Sequence, residues 1–387
     1  MKVLYLLHQT YAVGGANRSF LSLVRELRRL GVEIHVAMPD QEGIYQTLVA
    51  DGFKTLSLPF RHGTYPDYPK MVDRLLYLPR LVARRLVLRM AVRTLSAYVK
   101  QHDINLIHSN SSVLDLGFYL SRKTDRPHVM HIREYGDSDF GYIYYPNWPT
   151  FHHHFDWPHQ YSICITRDVQ RHHGLAERPD SWVIYNGISH RQSACPKVET
   201  QPYFLYVGRI QEAKGLEDVV SAYVQYTKAH GTSISLKIAG MVSEEDYYKR
   251  ILNMIRTSHL DSNVEFLGEV TDVAPLMNAA QALIVPSRSE GFGRCMVEGM
   301  FCGCPVIVRN AAGLAEQLTK GRQQSGRDIA LSYNTIEHLV QCMESVLSMD
   351  AIERESLVQT AFHTANDLYS IESCALQVYA KYQEICR

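Results

Sequence analysis

Two loops hold the residue types that chemistry on an anion needs. "SRSEGFGRCMVEGMFCGCPVIV", Ser287 to Val308, sets Glu290 and Glu298 eight positions apart, with Gly291, Gly293 and Arg294 between them. "VGRIQEAKG", Val207 to Gly215, sets Arg209 and Lys214 in one short stretch. A guanidinium and an ammonium both stay charged at neutral pH. Beside a helix N-terminus, whose free N–H groups add partial positive charge, they suit a diphosphate. The glycines let the backbone approach such an anion closely. Taken singly, each loop has a plainer explanation. A glutamate pair at this spacing arises about once per chain of this size from composition alone, and loops are often basic because they are solvated.

The neighbouring segments give the loops their place. "AQALIVP" reads as a buried strand before one loop, and "RCMVEGMFCG" as a short helix ended by Gly303 after it. Tyr203 to Val207 and "LEDVVSAYVQYTK" flank the other loop in the same way. The alternation continues through the chain. Val3 to Leu7, Ile34 to Met38, Leu106 to Ser109, His128 to Ile132, Ser162 to Thr166 and Trp182 to Tyr185 are strand candidates of the first half. After the polar stretch from Asn186 to Pro202, the pattern resumes at Tyr203 to Val207, Ser235 to Ala239, Val264 to Leu267, Ala282 to Val285 and Pro305 to Val308. Such alternation predicts βαβ units, hence parallel sheets with helices on both faces. In two-domain proteins of this kind, ligands are expected at the C-terminal ends of the strands, in the crevice between the domains.

Composition narrows the class of protein. The chain has 387 residues, 46% hydrophobic and 21% charged, with forty basic and forty acidic side chains. No global field argues for nucleic acid. Eight scattered cysteines read as buried, reduced thiols of a cytosolic protein, since "CGC" at Cys302 to Cys304 is too tight for a common zinc pair. The apolar run in "MKVLYLLHQTY" is too short for a signal peptide and reads as a first strand. No apolar stretch approaches the roughly 20 residues that cross a bilayer.

Over nearly its whole length the sequence resembles the glycosyltransferases often called family 4, retaining enzymes of the GT-B fold. The motifs that carry the resemblance are "GGANRSFLSLVREL", "IHSNSS", "VIYNGI", "LYVGRIQEAKGLEDVVSAY", "LKIAG" and the run from "VEFLGEVTD" to "NAAGLAEQL". The C-terminal half is the specific part. The resemblance implies an α/β, GT-B architecture: two Rossmann-like, doubly wound domains facing each other across a cleft. Residues 1–187 would bind the acceptor, with a C-terminal helix at 365–387 completing that domain. Residues 188–201 would be a linker, and 202–364 would bind a nucleotide sugar. Arg209 and Lys214 would neutralise the donor diphosphate, with the N–H groups around Phe292 and Gly293 in support. Glu298 would accept from the ribose hydroxyls, and Glu290 would lie by the transferred sugar.

In the first half, Gly14 and Gly15 could bring the first loop against the donor phosphates or the acceptor, although a lone GG is often a plain turn. "VMHIREYGD" offers His131, where related enzymes often place a histidine on the donor sugar; a core or surface histidine is the alternative. Arg133 and Glu134 beside it suggest an ion pair. "DSD" at Asp137 to Asp139 has the form of a metal motif but is short enough to arise by chance. The histidines of "FHHHFDWPHQ" and "RHH" are expected to be solvated, so no metal site is expected. Departures from the family pattern are few, chiefly Ala312 before Gly313 where paired glycines are usual.

Arg74 to Lys100 contains seven basic side chains and no acidic one. Pro79 should begin or break a helix there. One apolar stripe holds Ala83, Leu86, Val87 and Met90, and another holds Leu81, Leu88, Val92 and Leu95, with arginines between. One stripe could pack on the sheet while the other lies on an anionic membrane; both packing on protein, with wet arginines, is the alternative.

The expectation is a retaining glycosyltransferase that moves a hexosyl unit from a UDP- or GDP-sugar to a hydroxyl of a glycan or lipid-linked glycan, as in bacterial surface polysaccharide synthesis. It would need no cofactor or metal, and would be cytoplasmic, peripheral on the inner face of the plasma membrane. The rivals are a nucleotide-sugar 2-epimerase on the same fold and a non-catalytic glycan-binding subunit of a glycosyltransferase complex.

Overall fold

The computed structural model describes residues 1–11, 15–66, 76–196 and 199–387. The chain divides into two compact units, Met1–Gly187 with Ile371–Arg387, and Ile188–Ser370.

The first unit is built on a seven-stranded parallel sheet. Its strands are β1 (Lys2–Leu6), β2 (Glu33–Met38), β3 (Lys54–Ser57), β5 (Leu106–Ser109), β6 (His128–Ile132), β8 (Gln160–Cys164) and β9 (Ser181–Val183), in the order β3-β2-β1-β5-β6-β8-β9. β5 and β6 are buried at every position, as expected of strands covered on both faces. Helix Gly15–Arg29 lays Phe20, Leu23, Val24 and Leu27 on the sheet at helical spacing. The last helix, Ile371–Ile385, buries Ile371, Cys374, Ala375, Val378 and Tyr382 in the same core. Each large apolar side chain buried this way contributes roughly 1.5–3 kcal/mol. β4 (Thr64–Pro66) and β7 (Tyr142–Tyr144) form a separate antiparallel pair.

Helix Tyr77–Gln101 starts two residues before Pro79, where a missing N–H costs nothing. Leu88, Ala91, Val92, Leu95 and Val99 pack on the sheet, while Leu86 and Met90 stay exposed. One arginine fits neither reading of this segment, contact with lipid or with solvent: Arg84 is buried and ion-paired with Asp115.

The second unit has six parallel strands: β10 (Tyr203–Val207), β11 (Ser235–Ala239), β12 (Val264–Gly268), β13 (Ala282–Val285), β14 (Val306–Arg309) and β15 (Leu331–Tyr333). Their order is β12-β11-β10-β13-β14-β15, the doubly wound pattern in which the winding reverses between β10 and β13. Ile188 N–H donates to the Tyr369 carbonyl at 2.9 Å, and Ser189 bridges to Ser370, so the two chain segments at which the units divide run side by side.

Candidate active site

The winding reverses between β10 and β13, the position at which open α/β sheets bind ligands, and both sequence loops leave the C-terminal ends of those two strands. After β10 the chain passes Gly208 and Arg209, makes a 3-10 turn at Glu212–Lys214, and enters helix Leu216–His230 through Gly215. Gly215 has φ 69°, and a Cβ there would lie 2.4 Å from the Pro286 carbonyl oxygen. Only glycine brings the two loops this close. Arg288 N–H then donates to the Ala213 carbonyl at 3.1 Å, joining them directly.

Asp218, in the first turn of that helix, fixes the site from below. It is buried and takes Arg288 Nη2 at 3.0 Å together with Arg309 Nη1 from the end of β14. One carboxylate thus holds three elements in register. Arg209 is exposed and forms no ion pair among the described residues. Its carbonyl accepts from Tyr206 Oη at 2.9 Å, which fixes the loop backbone.

Lys214 and Glu290 are found together, with Nζ donating to Oε2; their side chains are 21% and 22% exposed. Burial acts to raise the Glu290 carboxyl, but the Lys214 ammonium, the Gly293 N–H and the Ser287 hydroxyl outweigh it and hold it below the usual range. Glu298 is likewise paired, with Arg294 Nη2 at 3.1 Å one helical turn away. The loop between the two glutamates is held by its backbone. Gly313 N–H donates to the Glu290 carbonyl at 3.0 Å, and buried Gln317 donates from Nε2 to the Phe292 carbonyl. Phe292 is itself buried, its ring edge-on to Tyr369 at 5.6 Å. Gly291 and Gly293 are buried, and Gly293 has φ 80° at the start of helix Arg294–Phe301. Ala312 takes φ 51°, the left-handed conformation that glycine adopts freely.

His131 belongs to the first unit, at the end of β6, and is 1% exposed. Arg133 and Glu134 point to different partners instead of to each other. Arg133 donates to Asn110 and Asn186, while Glu134 accepts from the Ser111 hydroxyl and from the Ser112 hydroxyl and N–H at 2.6 to 2.7 Å. Both side chains are buried, where a fixed set of hydrogen bonds competes well with an ion pair. Gly15 opens helix Gly15–Arg29 and is exposed, and Gly14 lies outside the described residues.

The acidic and histidine-rich segments have structural uses. Asp139 accepts from the Tyr135 and Gly136 N–H groups, and Asp137 pairs with His172 at 2.7 Å. Two histidines expected in solvent are buried: His154 stacks on Phe118 at 3.9 Å, and His173 donates to the Glu134 carbonyl at 2.9 Å. Aromatic neighbours supply the apolar cover that the loop sequence does not announce. Among the described residues no group of three His, Cys, Asp or Glu side chains is arranged to hold a metal. Asp218 and Gln317 escape the sequence reading and have no local signal in it, and Arg294 is seen there without its role, although its i,i+4 spacing to Glu298 is a signal for the pair.

Comparison with known proteins agrees with this architecture. The family model for the glycosyl transferase 4-like domain matches residues 14–171, and that for glycosyl transferases group 1 matches residues 191–364. A glycosyltransferase of Methanocaldococcus jannaschii is 26% identical over 297 residues, covering 74% of this chain and 77% of that one. The O-antigen chain mannosyltransferase RfbU of Salmonella typhimurium is 29% identical over 167 residues, 42% of this chain and 45% of the relative. Among solved structures, Anabaena HepE in complex with UDP superposes with a TM-score of 0.77 at 20% identity, covering 99% of this chain and 100% of that one. The chain therefore belongs to the group 1 glycosyltransferases of the family 4 type, transferase enzymes of the GT-B fold.

Proposed function

We propose that the protein is a retaining, metal-independent glycosyltransferase that moves a hexosyl unit from a UDP- or GDP-sugar to a hydroxyl of a glycan or lipid-linked glycan. Synthesis of a bacterial surface polysaccharide is the setting. The observation that carries this reading is the convergence of Arg209, Lys214, Glu290 and the Gly291–Gly293 backbone at the reversal of the second sheet. In this reading residues 202–364 bind the donor, and residues 1–187 with the C-terminal helix bind the acceptor. The support from outside is that HepE, a protein of similar fold, was crystallised with UDP, and that RfbU, a relative, is named a mannosyltransferase.

The roles follow from chemistry. Departure of a nucleoside diphosphate builds negative charge on the β-phosphate. Fixed cations and N–H donors there stabilise the transition state more than the ground state. Arg209 and Lys214 would supply the cations, and the N–H groups near Phe292 and Gly293 the donors. An ammonium has three donors, so Lys214 can keep one on Glu290 while the others take phosphate oxygens. Glu290, kept ionised, would accept from hydroxyls of the sugar, and Glu298 from those of the ribose. His131, at the end of β6, is the candidate for contact with the transferred sugar, and Gly14 and Gly15 are the candidates for the phosphates or the acceptor. Attack by the acceptor on the leaving-group face would preserve configuration, the leaving phosphate acting as base.

Calorimetric titration with UDP, GDP, ADP and dTDP, all in EDTA, tests this. Selective binding of UDP or GDP, weakened in Lys214→Ala and Glu298→Ala, is expected. If none of the four binds, the donor site is elsewhere or the protein is non-catalytic.

A second observation favours work at the cytoplasmic face of a membrane. Five of the thirteen exposed large apolar side chains among the described residues, Leu76, Leu78, Val82, Leu86 and Met90, lie within or beside the first turns of helix Tyr77–Gln101. Beside them, a groove of about 870 Å³ is lined by Arg85, Arg89, Arg93, Arg122 and Lys123. An apolar row next to concentrated positive charge is the pattern of a helix lying on anionic lipid. No helix among the described residues is long and apolar enough to cross a membrane.

A further inference from the structure

Helix Tyr77–Gln101 and helix Leu116–Thr124 of the first unit pack side by side, tied by the buried pair Arg84 and Asp115. The groove of about 870 Å³ runs between them. Arg85, Arg89 and Arg93 line it from the first helix at every fourth position, about 6 Å apart along the axis. Arg122 and Lys123 line it from the last turn of the second. The lining holds no carboxylate, and none of the five cations forms an ion pair among the described residues. Arg122 is also held in place, its guanidinium 5.7 Å from the Phe118 ring centroid and 5.5 Å from that of Trp157.

Like charges gathered without an anion repel one another, and a bound anion relieves that repulsion. The floor of the groove asks for something else. Leu88 and Val92 line it and rest on the core beneath, so part of the lining is apolar. Leu86 and Met90, one position on from Arg85 and Arg89, are 55% and 68% exposed and continue the apolar surface out of the groove. A free polyanion would match the cations and leave this floor unused. A ligand that is anionic at one end and apolar beyond it uses both.

We infer that the groove is a binding site for one amphiphile, a diphosphate carried on an apolar chain, with the phosphates on the arginines and the first carbons of the chain on Leu88 and Val92. This rests on the proposed lipid-linked glycan acceptor, and narrows it to a glycan joined to its lipid through a diphosphate. A phosphodiester headgroup brings a single negative charge to the five cations, whereas a diphosphate brings about two. Arginines one helical turn apart can each take one half of it through paired N–H groups. A surface that only senses the field of an anionic bilayer needs exposed cations and no groove. A site for a single head saturates at one ligand and works without a bilayer.

Titration of the full chain with farnesyl diphosphate in detergent-free buffer tests this, with excess UDP and GDP present to occupy the proposed donor site. One farnesyl diphosphate per chain should bind, at least about tenfold tighter than inorganic pyrophosphate, since burial of a few methylenes supplies that factor. Arg122→Gln with Lys123→Gln should weaken it about tenfold or more, and so should Arg85→Gln with Arg89→Gln on the facing helix. Both double variants should bind UDP or GDP as wild type does, which shows that they fold. Equal affinity for pyrophosphate and farnesyl diphosphate would make the groove a site for free anions and overturn the inference. Binding to phosphatidylglycerol vesicles without saturable binding of farnesyl diphosphate would reduce the groove to a bilayer contact, and also overturns it. So does farnesyl diphosphate binding that survives both double variants. If neither nucleotide binds wild-type protein, the transferase reading fails, and the farnesyl diphosphate titration still decides the groove.

Discussion

Lys214 donates to Glu290 across 76 positions of sequence, tying the loop after β10 to the loop after β13. The pair joins the cation proposed for the diphosphate to the carboxylate proposed for the sugar. It keeps Glu290 ionised and Lys214 ordered, so neither needs to reorganise far when charge develops on a leaving group.

Removal of either charge proposed to face the donor should therefore be felt in turnover. Lys214→Ala or Glu298→Ala should lower the rate on the order of 10² to 10³, as loss of one transition-state donor does. Steady-state kinetics with the donor identified by titration give the comparison. EDTA should leave the wild-type rate intact, since cations in the protein take the part of a metal. Near-normal turnover in both variants would remove the site, and rescue of an EDTA-treated enzyme by Mg²⁺ or Mn²⁺ would remove the metal independence.

The same ion pair has a pH signature. The Glu290 carboxyl is held below its ordinary range, so its contribution to stability is present above the unfolded pKa, near 4.3, and is lost as pH falls through the lower folded value. Glu290→Gln leaves a partly buried ammonium without its anion and should cost about 1–3 kcal/mol at neutral pH. Urea unfolding at several pH values checks the sign. The gap between wild type and variant should be constant above about pH 5 and should narrow in acid. A gap that widens in acid contradicts the pairing.

Ala312 and Gly313 separate backbone strain from backbone contact. Ala312 at φ 51° bears a left-handed strain of roughly 1–2 kcal/mol, part of which Ala312→Gly returns as unfolded-chain entropy. A net gain of about 0.5–1 kcal/mol in unfolding free energy is expected. Gly313→Ala would put a Cβ 2.5 Å from the Gly291 oxygen and 2.6 Å from the Glu290 oxygen. That displaces the loop, so turnover should fall at least about tenfold through misplacement of donors. Normal turnover in Gly313→Ala would show that this loop position is irrelevant to the chemistry.

Much of this arrangement is legible in the sequence, and the reasons for the rest are physical. β5, β6, β10, β11 and β13 fall where apolar runs between turn signals put them. "KTLS" in β3 lacks such a run because it is an edge strand, and β15 is a short edge of the same kind. β4 and β7 are three residues each and pair over a long separation, which no local pattern reports. The glutamates and cations of the second unit are visible as residues, but their pairing is not. Lys214 with Glu290, Asp218 with Arg309, and Tyr382 with His108 are contacts that folding creates. The choice of partner for Arg133 was misjudged for the same reason: adjacency in sequence favours Glu134, while burial favours Asn110 and Asn186.

The exposed face of helix Tyr77–Gln101 gives the last prediction. Leu78, Val82, Leu86 and Met90 recur every fourth residue, and each is more than half exposed. In water such a row exposes apolar area with no return, whereas at a headgroup boundary it is buried at roughly 25 cal/mol per Å². Each basic side chain near an anionic surface adds about 1 kcal/mol, and the adjacent groove holds five. The protein should therefore co-sediment with phosphatidylglycerol-containing vesicles and not with pure phosphatidylcholine, and salt should weaken the association. Leu86→Ser with Met90→Ser should remove the salt-resistant part, and Arg89→Glu with Arg93→Glu the salt-sensitive part. Both pairs of residues are exposed, so neither double variant should disturb nucleotide binding. If wild-type protein ignores anionic vesicles at moderate salt, the groove and the apolar row have some other use and the membrane reading falls.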